Sequence, residues 1–338
     1  METISREQFY TKTRRLSFFA ALSVLYIHSE NQAQFGILSG PGYEAQWKLI
    51  NLASWAVPFF FLLSGYLFFQ GFSLSDLLPK WRRRIRTLLL PYLLWNGLYF
   101  CLFALLPRLP AISSIIHTAA APLTFRSILE GLLLHTYDGQ MWYVRILLLF
   151  TLLAPVFYGL LCRRYAALGF TGILLCLTLF RVPFPLPIAY MSWQNLFYYS
   201  LGACLGLHAP DLPFKLAPVR GRRLALPLFF LLMVIQYFTG LAIYPLLAVF
   251  LLYIALGDGG RSPDWEAHSF FYFGAHMLVL SPVKKILLAL LPHTDLGMTA
   301  GYLLAPLFAM ALLIPTAHLA HRFLPRLFSL FTGGRSRR

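Results

Sequence analysis

His28 lies in the run Leu22-Ser23-Val24-Leu25-Tyr26-Ile27-His28-Ser29-Glu30. An imidazole titrates near neutral pH and suits general-base or proton-shuttle work. It equally suits an interfacial hydrogen bond, and position alone leaves both readings open. An ionisable group among such residues is costly if it faces lipid, so it points to a bundle interior or a watery cavity. The strongest charge concentration is Lys80-Trp81-Arg82-Arg83-Arg84-Ile85-Arg86, directly before Thr87 to Tyr92. Membrane topology explains one or two of these cations, and anionic headgroups explain more. Alternatively Arg83 and Arg86, three apart on one helix face, clamp a phosphorylated ligand.

Other residues sit where lipid would not favour them. Pro58 frees a carbonyl inside a helix, and Ser64-Gly65 before Tyr66 permits another backbone to approach, a pattern that by default serves packing. Trp142 and Tyr143 follow Asp138-Gly139-Gln140 and read as interfacial anchors. Arg145 is further in and needs a partner, with Asp138 or Glu130 as candidates. His276, two turns after Ser269, faces the interior on the same cost argument as His28. Acids number only 12. That argues against an ion pathway built of intramembrane carboxylates and against a two-carboxylate glycosidase site. Cys101, Cys162, Cys176 and Cys204 lie in or beside apolar segments, so neither a disulfide framework nor a metal site is expected.

These side chains must be positioned by membrane helices. The chain has 338 residues, 59% hydrophobic and only 12% charged, with a mean hydropathy of +0.67; a soluble domain has about a quarter charged residues. That balance excludes a soluble enzyme, a secreted disulfide scaffold and a disordered chain. The formal charge of +16 is not a nucleic-acid signal, because the basic residues fall at the ends of apolar segments and no nucleic-acid motif accompanies them. The fold class is all-α, a polytopic bundle of about ten transmembrane helices near 16–35, 48–71, 87–107, 139–161, 166–182, 193–209, 224–240, 242–257, 268–291 and 299–319. The pair at 224–257 reads as a hairpin or one broken span, and His28 falls two-thirds of the way along the first helix. No internal repeat and no cleavable signal peptide is evident. Most of the 28 Lys and Arg residues fall in alternate loops, which predicts that both termini are cytoplasmic. A single membrane-embedded unit is expected over 1–338, with short basic ends at 1–15 and 320–338.

The ordered set of motifs resembles the membrane acyltransferase-3 family, bacterial integral membrane O-acyltransferases. Leu16 through Ser29 resembles its opening segment, Pro58 through Phe69 its Ser-Gly-aromatic motif, and Arg83-x-x-Arg86 with Pro91-Tyr92 its basic loop and third helix. Trp142-Tyr143, Leu201-Gly202 and Ser269 through Pro282 with His276 resemble later, weaker motifs. One departure stands out. The family has a basic residue eleven positions before the His, where this chain has Ser17; Arg15 is displaced by two positions, about 200° around a helix.

The resemblance implies a stand-alone acyltransferase in the bacterial cytoplasmic membrane, with no permanently bound cofactor and acetyl-CoA or another acyl-CoA as co-substrate. It implies donor phosphates on Arg83 and Arg86, with Arg15 beside them, and His28 as base or transient acyl carrier. Ser64, Gly65, Tyr66, Trp142, Arg145 and His276 would line the site. The acceptor would be a hydroxyl of a cell-surface or lipid-linked glycan. Two other readings compete: a transporter or flippase whose basic loop grips lipid phosphates, and a non-catalytic partner in a polysaccharide export complex.

Overall fold

A computed structural model describes residues 3–110, 119–216, 222–257 and 259–334, and the described residues are helical with no strand. Met1, Glu2, Arg220 and the last four residues of the basic C-terminal end lie outside them.

Helix α1 runs Arg6–Ile27, beginning about ten residues and ending about eight residues earlier than the sequence pattern suggested. Ser5 and Gln8 form a reciprocal capping box that starts it there, so the polar segment before Leu16 is its first half. Lys12 in that half is fully buried. It donates to the Gly257 carbonyl at 2.7 Å and lies 3.7 Å from the centre of the Tyr253 ring. His28 therefore closes α1 as its C-cap residue instead of sitting within it.

Helices α2 (Pro41–Ala53) and α3 (Ala56–Phe69) form one long stretch. After α4 (Leu77–Arg84) a single π-helical segment, Ile85–Leu89, leads into α5 (Leu90–Leu105). Next come α6 (Phe125–Leu133), α7 (Trp142–Leu152) and α8 (Ala154–Leu161). The last two meet at a 63° bend, where Pro155 cannot supply a backbone N–H. Then follow α9 (Arg164–Leu179), α10 (Trp193–His208), α11 (Arg222–Thr239), α12 (Tyr244–Ala255), α13 (Ser269–Leu290), α14 (Asp295–Phe323) and α15 (Pro325–Thr332). The segment 224–257 is two helices, broken at Gly240 with φ of +61°.

Each of the ten expected segments holds a helix, but fewer meet the length and composition of a membrane span. Among the described residues five stretches do: Pro41–Phe69, Leu74–Arg108, Arg222–Thr239, Asp264–Leu290 and Asp295–Phe323, with the bent pair Gly139–Leu161 as a sixth if it is one span. The shortfall has two physical causes. The front half of α1 is charged, with Arg6, Glu7, Lys12, Arg14 and Arg15. Helices α9 and α10 have 16 residues each and α12 has 12, against roughly 20 for a 30 Å hydrocarbon core.

The most extensive pairing is α3 on α10. A Cβ on Gly65 would meet the Tyr199 carbonyl oxygen at 2.2 Å, and one on Gly202 would meet the Leu62 carbonyl oxygen at 2.0 Å. Only glycine permits that approach. An aromatic cluster continues from this contact into α7, with Phe61 against Tyr143 at 4.8 Å and Phe150 against Tyr199 at 4.9 Å between ring centres. It fixes where Tyr143 stands. Helix α1 packs on α13, α2 and α3, which brings Ser17 and His28 against the two helices that carry Ser64 and His276.

Candidate active site

Two cavities lie along α1 and α13. The larger, about 720 Å³, is lined by His28 at the end of α1, Tyr99 of α5, Tyr137, Gly139 and Gln140 before α7, Trp142 of α7, Tyr190, and Met277, Ser281, Pro282 and Lys285 of α13. Pro282 lies inside α13. Its lining is mostly aromatic and aliphatic with a few polar groups, the ordinary character of a small-molecule site. Trp142 stacks on Tyr190 with ring centres 5.3 Å apart and planes 22° apart. Tyr190 holds a φ of +63°, a left-handed conformation costly for a large side chain. The stacked pair thus stands on a strained turn.

His276 does not line this cavity; it is fully buried next to His28, with ring centres 5.1 Å apart. Its Nδ1 is 2.6 Å from the Phe273 carbonyl oxygen. A carbonyl only accepts, so Nδ1 carries the proton and donates, leaving Nε2 of the neutral ring as an acceptor. That Nε2 has no hydrogen-bond partner among the described residues. Lys284 donates to the His28 carbonyl at 3.2 Å and also to the Glu30 carbonyl, tying down the end of α1. The Glu30 carboxylate accepts from the backbone N–H groups of Gln32 and Ala33; it is occupied with the next turn and not with His28.

The smaller cavity, about 220 Å³, is lined by Ser17, Ser64, Arg84, Tyr143 and Ser269 with apolar neighbours including Phe60, Leu88 and Phe273. Ser64 Oγ lies 3.3 Å from the Tyr143 hydroxyl, and the Ser17 hydroxyl donates to the Thr13 carbonyl at 2.7 Å. Helix α13 passes both cavities: Ser269, Phe270 and Phe273 face the smaller one, Met277, Ser281 and Lys285 the larger. His276 falls between these two sets. On α1 the eleven positions from Ser17 to His28 separate the cavities by about 16 Å.

The sequence-derived candidates divide clearly on this geometry. His28, Ser64 and Trp142 line cavities. Gly65 is a packing residue against α10. Tyr66 points to the other end of the bundle, where its hydroxyl donates to the Pro210 carbonyl at 2.6 Å. Arg83 and Arg86 are exposed and line neither cavity. Arg15 pairs with Glu266 at 3.0 Å and donates to the Gly259 carbonyl at 2.8 Å, so the two-position offset from Ser17 turns it out of the smaller cavity. Arg145 makes no ion pair among the described residues: Glu130 pairs with Arg126 at 2.7 Å, and Asp138 is buried without a hydrogen-bond partner. No group of three or more His, Cys, Asp or Glu among the described residues is placed to hold a metal.

Arg84, Tyr99, Gln140, Tyr190 and Lys285 were missed as cavity residues. Arg84 was hidden by its neighbours, since nothing in three consecutive arginines distinguishes the one that turns inward. The π-helical segment that follows it, which alters the helical register, carries no marker in composition.

A family model described as an acyltransferase domain matches residues 16–320. The succinoglycan biosynthesis protein ExoH of Rhizobium meliloti (strain 1021) is 25% identical over 347 residues, covering 93% of this chain and 89% of that protein. No solved structure matches the chain.

Proposed function

The chain belongs to the acyltransferase family whose domain spans residues 16–320, and on that premise we propose that it is an integral membrane O-acyltransferase moving an acyl group, acetyl as the simplest case, from cytoplasmic acyl-CoA to a hydroxyl of a polysaccharide or its lipid-linked precursor. The similarity to a protein of succinoglycan biosynthesis supports the polysaccharide. In this reading ten helices cross the bacterial cytoplasmic membrane with both ends inside. The shorter ones are accommodated by tilted neighbours and local thinning of the bilayer. The basic α4 and the Arg84 cavity then lie towards the cytoplasm, and the His28 cavity towards the opposite face.

The observation that carries the reading is the contact of His28, which lines the larger cavity, with the fully buried His276. His276 Nε2 is an acceptor, so a His28 N–H turned towards it leaves the second His28 nitrogen unprotonated and available as a base. His28 takes the proton from the acceptor hydroxyl as its oxygen attacks the thioester carbonyl. The C–S bond then breaks, and the proton passes from His28 to the departing thiolate, giving the ester and free coenzyme A. Trp142 on Tyr190 offers a flat aromatic face to a sugar ring, and Gln140 and Ser281 offer polar groups to its hydroxyls.

The test uses purified protein in membrane vesicles with acetyl-labelled coenzyme A and a glycan acceptor fraction. Label should enter the glycan with wild type and not with His28→Ala. Transfer that persists in His28→Ala removes His28 from the chemistry. Absence of both donor binding and transfer in the wild type removes the acyltransferase reading and favours a transporter or structural role.

A further inference from the structure

The smaller cavity is lined by a cation that no carboxylate or carbonyl among the described residues takes up. Arg84 is half-buried at the end of α4, and its guanidinium has no hydrogen bond or ion pair among the described residues; its one ring contact is Phe68, 5.5 Å away. Arg145, also half-buried and without a hydrogen bond or ion pair among the described residues, lines neither cavity, and three other basic side chains are taken up by protein partners. Lys12 and Lys284 each donate to carbonyls, and Arg15 has Glu266. Among the described residues no carboxylate lines the cavity, whereas Ser17, Ser64, Ser269 and Tyr143 bring four hydroxyls to it. An inward-turned guanidinium among hydroxyls and without an acid is arranged for an anion with several acceptor oxygens. The π-helical segment beginning at Ile85 is the kind of local irregularity that re-aims a side chain at a functional site.

We propose that Arg84, and not the exposed pair Arg83 and Arg86, holds the phosphate at which the extended arm of the acyl donor begins. This rests on the acyl-CoA reading above and assigns its anchoring residue. The dimensions agree with it. A volume of 220 Å³ accepts a phosphate with part of a chain but not a whole nucleotide, so the nucleoside stays outside, near the exposed arginines. The level of Ser17 lies about 16 Å along α1 from His28, a separation that suits a long flexible arm between an anchored phosphate and a reacting thioester. Ser64 and Ser269 supply hydroxyl donors to the phosphate oxygens, and the Ser64–Tyr143 contact holds one of them in place.

Coenzyme A binding is measured on the detergent-purified full chain, with S-acetylpantetheine as a phosphate-free thioester for comparison. Arg84→Gln should weaken coenzyme A binding by about tenfold to a hundredfold and leave the KM for S-acetylpantetheine within about twofold of wild type. Arg84→Lys should recover part of the loss. Ser64→Asp keeps Arg84 in place but offers it an internal carboxylate. It should weaken coenzyme A binding similarly in a protein that elutes as the wild type does, which covers the case in which Arg84→Gln fails to fold. Coenzyme A affinity unchanged in Arg84→Gln, or equal losses for both thioesters, would overturn the assignment while leaving the acyltransferase reading intact. Phosphatidylglycerol that binds through Arg84 and is not displaced by coenzyme A would give the cavity to lipid and also overturn it. A wild type that binds no coenzyme A removes the donor reading and this inference together.

Discussion

Substituting Gly202 with alanine tests whether the α3–α10 contact sets the position of the smaller cavity. The added Cβ would lie 2.0 Å from the Leu62 carbonyl oxygen, 2.9 Å from its carbon and 2.9 Å from the Tyr66 nitrogen. All three are backbone atoms, so no side chain can swing aside. Opening the first contact even to 3.0 Å requires the helices to part by about 1 Å, and overpacking of this kind costs about 1–3 kcal/mol. The displaced segment carries Ser64 and, through Phe61, bears on Tyr143. A 1 Å misplacement there should lower acyl transfer by about a hundredfold. Gly172→Ala in α9 is the matched control. Its Cβ would meet nothing within 4 Å, and replacing a helical glycine with alanine stabilises by about 0.5–1 kcal/mol. The assay is an SDS unfolding titration of both purified variants beside labelled acyl transfer. Wild-type stability and activity in Gly202→Ala would refute the claim that backbone contact holds α3 in place.

Three further outcomes are expected. Arg15→Ala leaves the buried Glu266 carboxylate without its cation and should destabilise the protein by about 3 kcal/mol in the same titration; an unchanged midpoint would remove the structural role given to this pair. His276→Phe keeps a ring beside His28 but no acceptor nitrogen, and should lower kcat by about tenfold or more without raising the KM for donor. A KM effect alone would assign His276 to binding. Burial pushes the carboxyl of Asp138, in the loop before α7, from 3.8 up to about 8. The raised value means that the unfolded chain ionises first. The folded state therefore loses stability progressively as pH rises from about 4 to about 8, and Asp138→Asn should abolish that part of the pH dependence of thermal unfolding. Parallel pH profiles for the two proteins would show that the carboxylate is paired.

Much of the architecture was legible because the bilayer imposes it. Apolar runs bounded by Pro, Gly and charge located a helix in every expected segment, since backbone groups in hydrocarbon must be satisfied internally. Helix ends were less legible. The first half of α1 looks like a polar tail because its cations are taken up by tertiary partners, Lys12 by Gly257 and Arg15 by Glu266, which composition cannot register. The site divided in the same way. His28 and His276 stood out individually, as ionisable groups in apolar surroundings do. Their contact joins the end of α1 to the middle of α13, 248 positions apart in the numbering, and no local pattern encodes it.

The sequence by itself determined the helical class, the family and the identity of the buried histidine, because these follow from hydropathy, motif order and the cost of an imidazole in an apolar run. Only the tertiary structure decided which of five neighbouring basic residues turns inward, that Gly65 and Tyr66 serve packing, and that Arg15 is spent on Glu266. The physical reason is that the direction of a side chain on a helix depends on register, on a π-helical segment and on what packs opposite. These are properties of pairs of elements, and a single stretch of chain does not contain them.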